Sequence, residues 1–278
     1  MFTILIPTWN NLPCLRLCLE SLRRHSAVPH EVVVHVSEGS DGTLDWVRAQ
    51  GIGHTWSPGN AGVSLALNAA AALAGCDHLL YLNDDMVALP GWDSRLWSAA
   101  AEMSGQPCML SATCIEPGGS TPAALAPHDF GAEPARFREA ELLAALPGLT
   151  RPDWSGASWP PMLVSRALWE RVGGFSPEFF PGHTSDQDFA MKLWRIGVRH
   201  FRGVGDARVY HFRHRTTSRL PGGDNRRLFA EKWGLPASWF YWQALRQGQP
   251  YRGALPELEE VPGYRMARLK ASLRRLLP

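Results

Sequence analysis

No apolar run in the 278 residues reaches the ~20 needed to cross a bilayer as a helix. The opening Met-Phe-Thr-Ile-Leu-Ile-Pro has no basic residue ahead of its apolar stretch, and proline breaks it too early for a secretion signal. A cytoplasmic setting is therefore expected. Five cysteines, Cys14, Cys18, Cys76, Cys108 and Cys114, are odd in number and fit no zinc spacing, so buried thiols in a reducing compartment are expected. A formal net charge of only +2 supplies no field for nucleic acid. No Gly-x-Gly-x-x-Gly follows the first apolar run, which disfavours a dinucleotide-dependent oxidoreductase. Internal repeats and a clean linker are also missing, which leaves one domain with a C-terminal extension.

What is present is an ordinary globular composition, 45% hydrophobic and 19% charged, with twelve tryptophans. Most of these belong in a core, and some suit sugar-stacking platforms. Residues 2–6 form an apolar run broken by Pro7-Thr8-Trp9-Asn10, and Leu12, Leu15, Leu19 and Leu22 follow at helical spacing. A Val-rich strand is predicted over 31–36, a polar turn over 37–42 and a helix over 41–49. A short strand at 54–56, a helix over 60–74 and a strand over 79–82 come next. This β-α-β-α order implies a largely parallel sheet with right-handed crossovers. Residues 116–153, rich in Pro, Ala and Gly, read as an excursion carrying one helix over 139–145. Residues 159–164 return to the sheet, helices are predicted over 166–172 and 186–195, and a late strand over 209–212.

The richest stretch is Leu79-Leu80-Tyr81-Leu82-Asn83-Asp84-Asp85-Met86, a buried strand ending in acids. Open α/β sheets bind ligands at that end of a strand. Asp84 and Asp85 are hard donors, suited to Mg²⁺ or Mn²⁺ carrying a diphosphate; a solvated turn would use the same residues. Pro7 and Thr8 could line a base pocket, and Glu38 could accept a hydrogen bond from a pyrimidine imide N–H. Asp84 suits a ribose hydroxyl or metal-bound water. Asp186 and Asp188 open a helix, where one carboxylate could take an acceptor's proton or simply favour the helix N-terminus. His211 ends an apolar strand, as a neutral metal ligand or a structural residue. His211 and His214 lack the soft partners of a zinc pair.

Taken in order, these motifs resemble the family-2 glycosyltransferases of GT-A fold, over residues 2–115 and 155–234. Ile6-Pro7-Thr8-Trp9-Asn10 opens the chain as in that family. Ser37 to Thr43 looks like its acidic glycine-serine turn, and Gly59-Asn60-Ala61-Gly62 through Asn68 like its helix start. Asn83-Asp84-Asp85 stands in place of the DXD motif. Gly173-Gly174-Phe175 with Ser185-Asp186-Gln187-Asp188-Phe189 looks like its catalytic block. Tyr210-His211 and Lys232-Trp233-Gly234 complete the series.

The resemblance implies a GT-A-type, Rossmann-like central mixed sheet flanked by helices. It implies a transferase domain over 1–235, with a nucleotide-binding half (1–115) and an acceptor and catalytic half (155–235), then a helical extension over 236–278. It implies an inverting, metal-dependent transfer from a nucleoside-diphosphate sugar, UDP-linked by the family's habit, to a glycan or lipid-linked acceptor. Asp186 would be the catalytic base. Asp85, His211 and Asp84 would hold Mn²⁺ or Mg²⁺. Pro7, Thr8, Glu38, Asn60, Asn83 and Asp84 would contact nucleotide, and Asp188 and Trp159 the acceptor. Three positions depart from the pattern: Ser37-Glu38 replaces two aspartates, Leu67 replaces an arginine, and Ser185 replaces a glutamate. A catalytically silent nucleotide-sugar-binding protein is the alternative from another class. A sugar nucleotidyltransferase is the alternative enzyme, although the loop over 7–13 lacks the Gly, Lys or Arg it would need.

In the tail, Met266, Leu269, Leu273, Leu276 and Leu277 recur at helical spacing among Arg265, Arg268, Lys270, Arg274 and Arg275. Two expectations follow for 264–278. It lies on the inner face of an anionic membrane, or its apolar stripe packs on the enzyme's own core or on a second subunit in a homodimer.

Overall fold

The computed structural model describes residues 1–103, 105–119, 122–213 and 224–276. His214 and Leu277 lie outside the described residues, as do the side chains of Arg274, Arg275 and Leu276. In chain order the elements are β1 (Thr3–Trp9), α1 (Leu12–His25), β2 (Glu31–Ser37), α2 (Thr43–Ala49), β3 (Gly53–Ser57), α3 (Gly62–Ala71), β4 (His78–Tyr81), β5 (Met86–Ala88), α4 (Trp92–Glu102), β6 (Cys108–Ile115) and β7 (Ala124–Leu125). They continue with α5 (Glu139–Ala145), β8 (Trp154–Ser155), β9 (Met162–Ser165), α6 (Arg166–Val172), α7 (Ser185–Arg195), β10 (His200–His211), α8 (Asn225–Trp233) and a C-terminal helix (Tyr264–Leu276). Among the described residues no helix is long and apolar enough to cross a membrane.

Among the described residues ten strands form one sheet in the order β3-β2-β1-β4-β9-β6-β10-β5, with β7 beside β6 and β8 beside β10. The first four strands pair in parallel, and β6 pairs in parallel with β10. Strand β9 runs antiparallel between β4 and β6, and β5 runs antiparallel along β10, so the sheet is mixed. Successive strand residues face opposite sides, and both sides are apolar. Leu5, Val33, Leu79 and Tyr81 join one core with Phe175, Phe189 and Trp194. Ile4, Ile6, Val34 and Leu80 join another with Leu15, Leu19, Trp92 and Leu96. Continuous apolar runs are what a strand covered on both faces requires.

The expected strands and helices are present, and the sequence reading missed β5, β6, β7, β8, α4, α8 and the first half of β10. The run that forms β10 carries two glycines, an aspartate and two arginines within 200–208, and a register shift falls between Val204 and Arg208. One of those glycines has a steric reason. A Cβ on Gly203 would sit 1.9 Å from the Trp154 ring, so only glycine lets the indole cross the strand. The 116–153 excursion is packed rather than loose. Leu142, Leu146 and Leu149 bury against Ile115, Tyr210 and Phe212. The Tyr210 hydroxyl donates to the Gly131 carbonyl at 2.8 Å and accepts from the Phe130 N–H at 3.0 Å, fixing the end of β10.

Polar ties lock the helical layer that carries the expected catalytic block. Asn68 on α3 accepts from the Phe175 N–H at 2.9 Å and donates to the Phe175 carbonyl at 2.8 Å. Gly174 lies so close that a Cβ would stand 2.3 Å from the Asn68 amide oxygen. Asp188 is fully buried. Its carboxylate accepts from Ser176 Oγ at 2.6 Å and Trp233 Nε1 at 2.8 Å, and lies 2.9 Å from Lys232 Nζ. The acceptor contact expected of Asp188 is not what this geometry serves. The side chain faces inward and joins α7 to α8. Replacing Asp188 with Ala strands three donors, and should lower unfolding free energy by about 3 kcal/mol. Urea unfolding measures this; a loss under about 1 kcal/mol would show that the tie is idle.

Candidate active site

The carboxyl ends of β1, β4 and β10 open into a cavity of about 290 Å³ closed by the entries to α3, β9 and α7. Nine of the expected residues line it: Pro7, Thr8, Asn60, Asn83, Asp84, Asp85, Trp159, Asp186 and His211. Each arrives for a local reason. The β1 strand ends at Trp9, which puts Pro7 and Thr8 at its mouth. The β4 strand stops at Tyr81, and the turn that follows presents the acid pair. Asn60 accepts from the Gly62 N–H at 2.7 Å and so shapes the start of α3.

Burial dominates the electrostatics. The Asp84 carboxyl is pushed up from 3.8 to about 7, first by loss of water and then by the neighbouring charge of Asp85. The Thr8 hydroxyl, donating to Asp84 Oδ2 at 2.7 Å, opposes this. Asp186 is also pushed up to about 7 by burial, against a weaker hydrogen bond from Ser185. Its Oδ1 is out of water and has no hydrogen-bond partner. Thr184 holds the N-cap position of α7 and no side chain caps the helix, so Asp186 sits in the first turn without a capping bond.

His211 stands between two acids. Its Nδ1 is 2.8 Å from Glu116 Oε1, and its Nε2 is 3.4 Å from Asp85 Oδ2. Burial alone would lower its pKa, but the charges and hydrogen bonds of Asp85 and Glu116 raise it to about 9. The sequence reading missed Glu116. It follows the apolar run of β6, the same signal that marked Asp84 and Asp85, on a strand that was not recognised. It is wholly buried, and Arg213 NH1 lies 3.4 Å from its other oxygen.

Two groupings of possible cation ligands overlap here. Cys114, Glu116 and His211 bring ligand atoms within 4.8 Å of one another. The Cys114 thiol, however, is pushed well above its usual range by burial and by the nearby carboxylates, and it faces the Pro160 carbonyl. A protonated thiol is a poor partner for a hard cation. The Asp85–His211 edge is the better fit. Two ligand atoms ~2.1 Å from one ion, at right angles, stand about 3.0 Å apart. Glu116 meanwhile holds Nδ1 and leaves Nε2 to face Asp85, as metal-binding imidazoles are usually oriented.

Glu38 lies outside the cavity wall. Its Oε2 accepts from Trp9 Nε1 at 2.8 Å and its Oε1 from Ser40 at 2.8 Å. These bonds hold its carboxyl below the usual range. Trp9 itself lines the cavity, so Glu38 reaches the site through that indole. Leu67, which stands where an arginine was expected, is buried in the core.

Comparison with known proteins follows the same lines. Residues 3–138, just under half of the chain, match the family model described as Glycosyl transferase family 2. No curated protein matches the chain. S. aureus TarS 1-349 in complex with UDP-GlcNAc shares the fold with a TM-score of 0.57 at 20% identity, covering 83% of this chain and 66% of that one. A second crystal structure of S. aureus TarS 1-349 gives 0.53 at 19% identity, with coverages of 76% and 60%. Its UDP complex gives 0.52 at 20% identity, with coverages of 75% and 59%. The chain thus spans under two thirds of these structures, and at such identities the likeness is one of fold. Residues 3–138 thus resemble the glycosyl transferase family 2 sequence pattern, and the chain folds as GT-A glycosyltransferases do.

Proposed function

We propose that the chain moves a sugar from a UDP-linked donor to an acceptor hydroxyl with inversion at the anomeric carbon. The observation that carries this reading is the Asp186 carboxylate, which lines the same cavity as Asp84, Asp85 and His211. A protein that only bound a nucleotide sugar would gain nothing from a proton acceptor placed beside the acid pair. The UDP and UDP-GlcNAc complexes of TarS support the choice of donor. Residues 1–115 are assigned to the nucleotide, 155–235 to acceptor and catalysis, and 236–278 to an extension. The setting is glycan or surface-polysaccharide assembly in the cytoplasm.

The Asp186 carboxylate accepts the proton of the acceptor hydroxyl, and the freed oxygen attacks the anomeric carbon from the face opposite the diphosphate. The bond from that carbon to the leaving phosphate oxygen breaks, and the nucleoside diphosphate departs with the electron pair. Asp85 and His211, with Asp84 beside them, would hold Mn²⁺ or Mg²⁺, which would supply positive charge against the leaving group. Thr8 keeps Asp84 in place, Glu116 orients His211, and Trp159 offers an apolar wall to the acceptor. A positioned base contributes about 10²–10⁴ in rate, or roughly 3–5 kcal/mol of barrier.

Asp186→Asn should therefore cut kcat by about 10²–10⁴ while leaving UDP affinity in Mn²⁺ unchanged. Turnover is read from UDP release with a panel of donors and acceptors. Retained turnover in Asp186→Asn would remove the assigned base. The base form of Asp186 exists only above its raised pKa, so kcat/KM should rise with pH up to about 7 and then level off. Stability has the opposite sign. Between 3.8 and about 7 the folded protein holds a proton that the unfolded chain has released. Folding stability from this group thus falls as pH climbs through that window, and Asp186→Asn should flatten the fall.

The metal reading has its own measurement. Asp85→Ala should abolish the gain in UDP affinity that Mn²⁺ confers. Glu116→Gln should weaken Mn²⁺ binding about 10–100-fold, as loss of an orienting partner does, with free Mn²⁺ followed by electron paramagnetic resonance. Unchanged Mn²⁺ affinity in both variants would place the ion elsewhere or nowhere.

A further inference from the structure

The C-terminal helix packs by its small residues and leaves its large ones in water. Ala267 and Ala271 are buried, at 3% and 0% exposure. Ala267 joins the core that includes Phe229, Phe240 and Val261. Tyr264 adds a ring contact with Trp239, centroids 5.9 Å apart. On the opposite side Met266, Leu269 and Leu273 are 56%, 53% and 51% exposed. At 100° per residue these three fall within about 60° of the circumference. They make one apolar strip, not scattered surface residues. The expectation that the stripe packs on the protein's own core does not hold for Met266, Leu269 and Leu273, which leaves a membrane or a second subunit as its occupant.

What borders the strip indicates its occupant. Arg265 lies along one edge and Lys270 along the other, both exposed and, among the described residues, unpaired with any acid. Arg268 is exposed farther round, and the sequence adds Arg274 and Arg275. Residues 264–278 contain no Asp or Glu. A second copy docked strip to strip about a two-fold axis would bring like charges together. An anionic bilayer supplies the opposite charge on both edges and an apolar layer between them.

We propose that this helix lies on the surface of an anionic phospholipid bilayer, with Met266, Leu269 and Leu273 in the acyl boundary and Arg265 and Lys270 at the headgroups. The proposal does not depend on the transferase reading, since it uses none of the cavity residues.

The test is sedimentation of the full chain with phosphatidylcholine vesicles, with and without about 30% phosphatidylglycerol. The wild type should pellet with the anionic vesicles only, and be released by about 0.5 M salt, where screening shortens electrostatic reach. Leu269→Ser/Leu273→Ser and, separately, Arg265→Glu/Lys270→Glu should each lower vesicle partition at least about tenfold. Their unfolding temperatures should stay unchanged, because all four positions are exposed. Truncation would be a poorer probe, since it removes the buried Ala267 and Ala271. The proposal is overturned if the wild type stays in the supernatant with both vesicle types. It is equally overturned if both variants pellet like the wild type, or if sedimentation velocity shows a wild-type dimer that Leu269→Ser/Leu273→Ser disperses.

Discussion

Negative charge crowded out of water is the constraint around which this molecule is organised. Asp84, Asp85, Glu116 and Asp186 converge near one cavity, and the cationic groups on its wall come from His211 and Arg213. Loss of hydration pushes Asp84 and Asp186 toward the neutral form, while two acids draw a proton onto His211. In the absence of a cation, protons do the neutralising. Buried acids that have lost water interact more strongly with nearby positive charge than a surface cluster of equal charge does.

The scaffold holds that imbalance by tying the cavity walls from behind. Three of the ties are polar and lie just beneath the lining: Asn68 on the Phe175 backbone, Asp188 against Lys232 and Trp233, and Tyr210 on the 130–131 turn. None of these residues lines the cavity, yet each fixes an element that does. The two apolar layers cover the sheet on both faces, so the strand ends have little freedom to spread.

Much of this was legible in the sequence, for definite reasons. Apolar runs ending in acids located β4 and its Asp84–Asp85 pair, and short-range spacing found α6 and α7 nearly to the residue. Residues with mixed character stayed hidden. Strand β6 interleaves Ser, Thr and Cys with its apolar positions, so neither the strand nor the Glu116 at its end stood out. The first half of β10 carries Gly203, whose need arises from Trp154, 49 positions earlier in sequence, a contact no local pattern carries. Asp188 shows the same limit from the other side. Two carboxylates at neighbouring positions of one helix have opposite fates, because only the folded chain shows that one meets Lys232 and the other an open cavity. In the C-terminal helix the periodicity was visible, but the inward face was not. The close approach of neighbouring elements selects alanine over leucine there, which propensity alone does not reveal.

The cysteines have a consequence of a different kind. Cys14, Cys18, Cys76 and Cys114 are buried and unpaired, and Cys14 and Cys18 sit in α1 against the acid pair. Burial and those acids push the Cys14 thiol up to about 12, and they also push Cys18 well above its usual range. Such thiols are nearly inert toward alkylating reagents while the fold is closed. Their slow modification then becomes a clock for the opening of α1 away from the sheet, reporting how often the floor beneath the acids is exposed to solvent.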